Sequence, residues 1–251
     1  MKNTCLWLRK RLKLALLYVL FSTNLLAAEN VRVLLVVGGH GFEAQPFYQV
    51  FKDDPKLTFT VAAHTNATNK AHDLLRPEAA RDYDVIVCYD MWQKISEEAK
   101  ADLINLLKQG KGLVVMHHAL ASYQDWPEFA RIVGGKYVLK KAGGPPTAQL
   151  STYKHDVDFL VHVADPGHPI TQGVADFKTH DETYGNFEVA AEVHPLLTTE
   201  EPTSSKTIAW CKQYEAARVV YLQLGHDHVA YANPSYRKLV SQAIQWAAKK
   251  N

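Results

Sequence analysis

Residues 31–37 read Val-Arg-Val-Leu-Leu-Val-Val and run straight into Gly38-Gly39-His40. A short, continuous, β-branched apolar run closed by glycine marks a strand buried on both faces, and therefore a parallel sheet. The segments that follow take turns between helix and strand. Gln45 to Lys52 reads as helix and Leu57 to Ala62 as strand. Asp84 to Tyr89 is a second apolar strand, Ser96 to Gln109 a helix, and Gly112 to Met116 a third strand. The helix from Ser96 has a capping serine, two acids in its first turn, apolar Leu103, Ile104, Leu106 and Leu107, and a glycine at its end. Such alternation predicts a doubly wound α/β sheet, mainly parallel.

Between Gly134 and Glu201 the rhythm breaks at Gly143-Gly144-Pro145-Pro146 and reads as short strands and loops. The α/β pattern then resumes through Lys206–Trp210, Arg218–Leu224 and a closing helix from Pro234 to Lys249. The expectation is one domain over 29–251 carrying a β/loop insertion around 136–200.

Ahead of that domain, Lys2, Arg9, Lys10, Arg11 and Lys13 precede an apolar run ending in Leu25-Leu26-Ala27-Ala28. Basic, apolar, then small is the pattern of a secretory leader, here 1–28, and the run is shorter than the roughly 20 residues a spanning helix needs. Export to the periplasm or medium, with no stable membrane anchor after cleavage, is the expectation. The leader also carries the basic excess: the whole chain is formally +2, and without those five cations acids outnumber bases. No basic cluster of the kind nucleic acid requires remains. Cys88 and Cys211, the two cysteines beyond the leader, are too few for a disulfide framework and lie in apolar stretches.

Histidine, at 12 residues, is the informative count. In open α/β sheets ligands bind outside the carboxyl ends of the strands, and five histidines fall in the first turn after a strand: His40, His117, His118, His226 and His228. Adjacent residues leaving a strand point opposite ways, so of His117 and His118 the first is favoured to face the crevice. His226 and His228 would share a face if extended, with Asp227 between them as a possible outer-shell acceptor. The stretch His180-Asp181-Glu182-Thr183-Tyr184-Gly185-Asn186 is concentrated in polar groups and reads as readily as a solvent loop. His155, His162 and His168 carry a weaker signal.

Gly38-Gly39-His40, Gly112 to Ala119 (GLVVMHHA), Trp126-Pro127-Glu128-Phe129, His168-Pro169-Ile170-Thr171, Asp181 to Tyr184, Ile208-Ala209-Trp210 and Arg218 to Asp227 then Asn233-Pro234 together resemble the ThuA-like, or trehalose-utilisation, family, in family order over residues 31 to 248. The resemblance implies a flavodoxin-like fold similar to the class I glutamine amidotransferases. It does not carry over their chemistry, because His117 stands where the nucleophilic cysteine belongs and Cys88 lies inside a strand, away from any exposed turn. It also implies bacterial sugar catabolism through 3-keto glycosides.

A ketone at C3 acidifies the C2 proton, so the glycosidic bond can break by elimination without the two carboxylates of ordinary glycosidases. That chemistry asks for a Lewis acid, a base and an acid. The expected site holds a divalent transition metal (Zn, Mn or Fe) on His40, His117 and His226, with Glu182 as further ligand or base and His118 or Asp227 as proton carrier or outer-shell partner. Phe42, Trp92, Trp126, Asp181 and Tyr184 are the expected contacts to a small carbohydrate, and no nucleotide cofactor is expected. The competing readings are a metal-independent keto-sugar isomerase or hydrolase with Glu182 as base, and a carbohydrate-binding module without turnover.

Overall fold

A computed structural model describes residues 30–65, 70–139 and 149–250. Its first strand, β1 (Val31–Gly38), is buried along nearly its whole length, Arg32 being its one exposed residue. Alternate side chains enter opposite layers. Val33, Leu35 and Val37 join one apolar cluster, Leu34 and Val36 the other, so neither face tolerates polar alternation. After it come α1 (Ala44–Lys52), β2 (Leu57–Ala63), a single turn α2 (Lys70–Asp73), β3 (Val85–Asp90), α3 (Glu97–Lys108) and β4 (Gly112–Met116). The α3 start is capped as its sequence predicts, Ser96 Oγ accepting the Ala99 amide at 3.1 Å. A short 3-10 turn, His117–Ala121, leads into α4 (Pro127–Val133), and then come β5 (Gly135–Lys136), β6 (Thr152–Val163), β7 (Phe177–Gly185), β8 (Glu188–Val189), β9 (His194–Thr198), β10 (Thr207–Tyr214), β11 (Ala217–Leu222), α5 (His228–Ala232) and α6 (Pro234–Ala247).

Nine strands form one sheet in the order β2-β1-β3-β4-β11-β10-β9-β6-β7. The half from β2 to β11 is parallel, and the strands from β10 outward pair antiparallel. Phe47 and Phe51 of α1 with Leu239, Val240 and Ile244 of α6 cover one face, while Leu103 and Leu107 of α3 with Phe129, Ile132 and Val133 of α4 cover the other. This is the doubly wound α/β sandwich that the strand pattern predicts.

The 136–200 region does more than interrupt that pattern. β6 and β7 extend the sheet, and the antiparallel half curls back until β7 meets the carboxyl ends of β4 and β11: Tyr184 Oη lies 2.9 Å from His117 Nε2, and the Gly225 amide donates to Asp181 Oδ2 at 2.8 Å. The polar stretch 180–185 is therefore a strand whose Asp181 to Gly185 are buried. It lacks hydrophobic periodicity because its inward side chains face a polar site. Both Cys88 and Cys211 are buried free thiols, and no helix among the described residues is long and apolar enough to cross a membrane. The expected leader, 1–28, lies outside the described residues.

Candidate functional site

β4 ends abruptly at His117, whose φ of 51° is the left-handed conformation that costs a non-glycine residue of order 1–3 kcal/mol. Two contacts hold it there. The Tyr221 hydroxyl donates to the His117 carbonyl at 3.2 Å, and His117 Nδ1–H donates to the Gln223 carbonyl at 2.7 Å. Because a carbonyl can only accept, the second bond fixes the tautomer and leaves Nε2 with its lone pair pointing into the crevice. The turn also separates the paired histidines. His117 faces β7, whereas His118 turns to the Tyr89 carbonyl at 3.2 Å and lies against the His40 ring, 4.7 Å between centroids.

Three potential ligand atoms converge here, His117 Nε2 and two neighbours. Glu182 Oε2 is 3.1 Å from Nε2, His226 Nδ1 is 3.2 Å from it, and those two are 3.3 Å apart. Metal bonds of about 2.0–2.1 Å in a tetrahedral shell place neighbouring ligand atoms roughly 3.3 Å apart, so the spacing fits one ion shared by His117, Glu182 and His226, which among the described residues form the one such group. Burial by itself would raise the Glu182 carboxyl, but protonated His117 and His226 rings beside it outweigh that and hold it well below the usual carboxylate range. In return the Glu182 hydrogen bond raises His226 against its own partial burial.

Asp181 builds the frame behind this group. Fully buried, it accepts the amides of Gly225 (2.8 Å), His226 (3.0 Å) and Glu182 (2.8 Å), which locks the β11 end and β7 in one register. Gly225 adopts φ +109°, and a Cβ there would lie 2.4 Å from Tyr236 Oη; only glycine fits this bend. Tyr184 lies under the His117 ring, 4.9 Å between centroids, with its hydroxyl on Nε2. His155 Nδ1 stands 3.0 Å from the other carboxylate oxygen, Glu182 Oε1, with half of its side chain exposed at the mouth.

Several expected site residues are placed elsewhere. His40 is exposed and hydrogen-bonds the Gly41 carbonyl; its ring rests on His118, outside the ligand group. Asp227 caps α5, accepting the Val229 and Ala230 amides at 2.9 and 3.1 Å, because the chain turns helical there instead of staying extended. For the same reason His228 leaves His226 and pairs with Glu43 at 2.9 Å. Phe42 packs edge-on to Phe47 and Tyr89, and Trp126 is buried against Tyr123 and Phe129, so neither presents a ring to the crevice. Asp181 and Tyr184 orient the site from beneath and are too buried to be sugar platforms.

His155 is the residue that sequence reading undervalued. A register shift between Lys154 and Val157, with Asp156 at φ 57°, redirects it toward Glu182, and a bulge of this kind has no hydrophobic signature. No exposed thiol nucleophile is present among the described residues. Burial pushes Cys88 well above the ordinary thiol range and Cys211 up to about 11.

The sequence profile of the ThuA family, described as trehalose utilisation, matches residues 32–247. The chain belongs to the ThuA family. Among solved structures, a ThuA-like protein from Parabacteroides merdae superposes with a TM-score of 0.73 at 19% identity, covering 88% of this chain and 90% of its own. Another from Bacteroides uniformis gives 0.67 at 19% identity over 90% and 95%, and a cytoplasmic protein from Salmonella typhimurium gives 0.58 at 14% over 85% and 98%. A search of curated proteins returned no match.

This ThuA-family chain holds a second buried polar group, at the ends of β2 and β3. His64 Nε2 and Asp90 Oδ2 are 3.6 Å apart with both side chains fully buried, and the His72 ring stands edge-on to His64 at 4.7 Å. Burial pushes Asp90 up to about 7 and pulls His64 down to about 4, so between those values the contact joins neutral partners and is no ion pair. The two shifts oppose each other in stability. Protonated Asp90 in the fold costs stability as pH climbs from about 4 toward about 7, while neutral His64 gains it from about 4 to about 6.5. The contributions of these two groups should thus nearly cancel over that window. Asp90→Asn removes the falling arm, and its unfolding free energy relative to wild type is expected to rise by on the order of 3 kcal/mol between pH 4.5 and 7. Urea titrations at the two pH values test this, and parallel curves for the two proteins would refute it.

Proposed function

We propose that this ThuA-family protein is an exported enzyme that cleaves 3-keto glycosides at a site centred on His117, Glu182 and His226, with a divalent transition metal held by those three residues. One observation carries the reading. His117 Nε2, left as an acceptor when Nδ1–H donates to the Gln223 carbonyl, and a Glu182 oxygen approach to 3.1 Å with His226 Nδ1 3.2 and 3.3 Å from them, the spacing of three ligands around one ion. Acceptor atoms this close repel unless a cation or a proton lies between them. A bound metal would supply Lewis acidity toward the ketone or its enolate oxygen.

The chain's own residues supply the rest. Asp181 and Gln223 hold the ligand atoms in place, so little reorganisation accompanies reaction. His155, touching Glu182 and half open to solvent, is the group placed to carry protons in and out. In the reaction the C2–H bond breaks, a C1=C2 double bond forms, and the C1–O bond to the departing sugar breaks with a proton delivered to that oxygen. Water then adds across C1=C2, giving 3-keto sugar and free alcohol with no net redox change. Glu182, with one oxygen turned to His117 and His226 and the other to His155, serves as ligand, and the half-exposed His155 receives the C2 proton. The basic-apolar-small pattern of 1–28 supports export.

The test is to incubate purified protein with a 3-keto diglucoside in D2O. Release of glucose, with deuterium at C2 of the 3-keto sugar formed alongside it, and no action on the unoxidised disaccharide, is the expected result. Cleavage of the unoxidised sugar, or no release with or without added Zn, Mn or Fe, overturns it. The raised His226 favours one second reading, in which a proton shared with Glu182 replaces the metal and the chemistry is wholly acid-base; turnover that survives exhaustive chelation is its mark.

A further inference from the structure

The strand that carries Glu182 also borders a cavity of about 470 Å³. The start of β6, the end of β7 and the turn at 202–206 line it, through Thr152, Lys154, Thr203, Ser204, Ser205 and Lys206, together with Tyr153, 62% exposed. Gly185, where β7 ends, contributes bare backbone. A Cβ there would lie 2.7 Å from Thr152 Oγ1 and 2.9 Å from the Thr203 carbonyl oxygen, so any side chain would fill the space between β6 and the turn. The turn itself is tied down. The Ser205 amide donates to the Tyr184 carbonyl at 2.7 Å, the Thr183 and Thr203 hydroxyls bond at 2.8 Å, and the Thr203 amide and hydroxyl both donate to Glu201 Oε1.

The charge on this wall is one-sided. Two lysines line it and no acid does, on a chain whose acids outnumber its bases beyond the leader. The Lys154 ammonium and the Thr152 and Ser205 hydroxyls have no hydrogen bond or ion pair among the described residues. Lys206 reaches Glu200 at 3.3 Å, but both side chains are 72% exposed, and such surface pairs hold weakly. Two cations and free hydroxyls around one cavity are donors without an acceptor, which is the chemistry of an oxyanion site. One imidazole joins this cavity to the His117 group. The Tyr153 ring lies edge-on to His155 at 5.2 Å, the His155 ring is 4.8 Å from that of His226, and His155 Nδ1 is 3.0 Å from Glu182 Oε1. Trp92, by contrast, lies flat against His64 at the ends of β2 and β3, so Tyr153 is the aromatic ring at this mouth.

We propose that this cavity is an oxyanion subsite, holding the carboxylate, sulfate or phosphate of a glycoside whose reacting ring lies at the His117 group, which makes the substrate class an acidic glycoside. The assignment rests on the glycoside reading above, but its test does not need turnover. The full chain, stripped of metal and at low salt, is titrated calorimetrically with methyl glucuronide, with methyl glucoside and with sodium sulfate. The glucuronide should bind at least about tenfold more tightly than the glucoside, sulfate should compete with it, and Lys154→Ala combined with Lys206→Ala should bring the two glycosides to equal affinity. Both lysines are exposed, so the double variant keeps the fold. The preference should also survive in Glu182→Gln, because it does not depend on an ion at His117. Equal affinity for the two glycosides in the wild type, a preference indifferent to the two lysines, or binding of sulfate without binding of the glucuronide overturns the subsite. Preference for the glucuronide with no cleavage of a 3-keto glucuronide upholds the subsite and sinks the reaction. Cleavage of acidic and neutral 3-keto glycosides at equal kcat/KM does the reverse.

Discussion

Glu182→Gln is expected to reduce bound transition metal from one ion per chain to under about a tenth, and to abolish keto-glycoside cleavage with it. Loss of an outer-shell partner alone typically costs about 10–100-fold in metal affinity; replacing an ionised ligand by a neutral amide should cost more. The amide keeps the shape but removes the charge, and it brings an N–H₂ that must point at either His117 Nε2 or His155 Nδ1, 3.1 and 3.0 Å from the two oxygens. The substitution should leave folding intact, because the carboxylate stands in a polar group and not in an apolar layer. Metal analysis after gel filtration, with calorimetric titration of Zn or Mn into the metal-free variant, gives the answer. Wild-type binding at equal affinity in Glu182→Gln would mean that the ion, if any, is held elsewhere.

Asp181→Ala should be the most damaging change near the site for the fold itself. Its carboxylate receives the amides of Glu182, Gly225 and His226, and a methyl group leaves all three donors buried without an acceptor. An orphaned buried donor costs about 1–3 kcal/mol, so a loss of several kcal/mol is expected, out of a total stability that for most domains is about 5–15 kcal/mol. Burial raises the Asp181 carboxyl, opposed by the nearby His117 and the same amides, so the native carboxylate is costly to keep and is retained for what it holds in place. Metal affinity should fall as well, by about 10–100-fold, since β7 and the β11 end would no longer be tied in register. Urea denaturation and metal titration check the two effects separately. A variant with unchanged stability would show that the clamp carries no weight.

The two proteins together separate ligand from frame. Compared metal-free, Glu182→Gln should lose metal affinity with a smaller fall in melting temperature than Asp181→Ala, which should lose both. That contrast follows from where each carboxylate points: Glu182 at side chains, Asp181 at backbone.

The sequence by itself determined the fold and most of the cast. A doubly buried β-branched strand can only sit inside a covered sheet, so residues 31–37 announced the α/β sandwich. Strand-end position picked out His117 and His226, because ligands in such sheets bind outside the carboxyl ends of the strands. What pattern reading could not supply was which neighbours those histidines meet. A strand of mostly polar residues reads as a loop until its partner surface is known, so Glu182 on β7 was a candidate without a place. A bulge has no periodic trace, so His155 passed as a minor residue, and the choice between an extended strand and a helix cap at Asp227 depended on how α5 packs. Only the tertiary structure decided these, because the contact between β4, β11 and β7 is made by the curl of the antiparallel half, and curl is a property of many strands packed together and of no single segment.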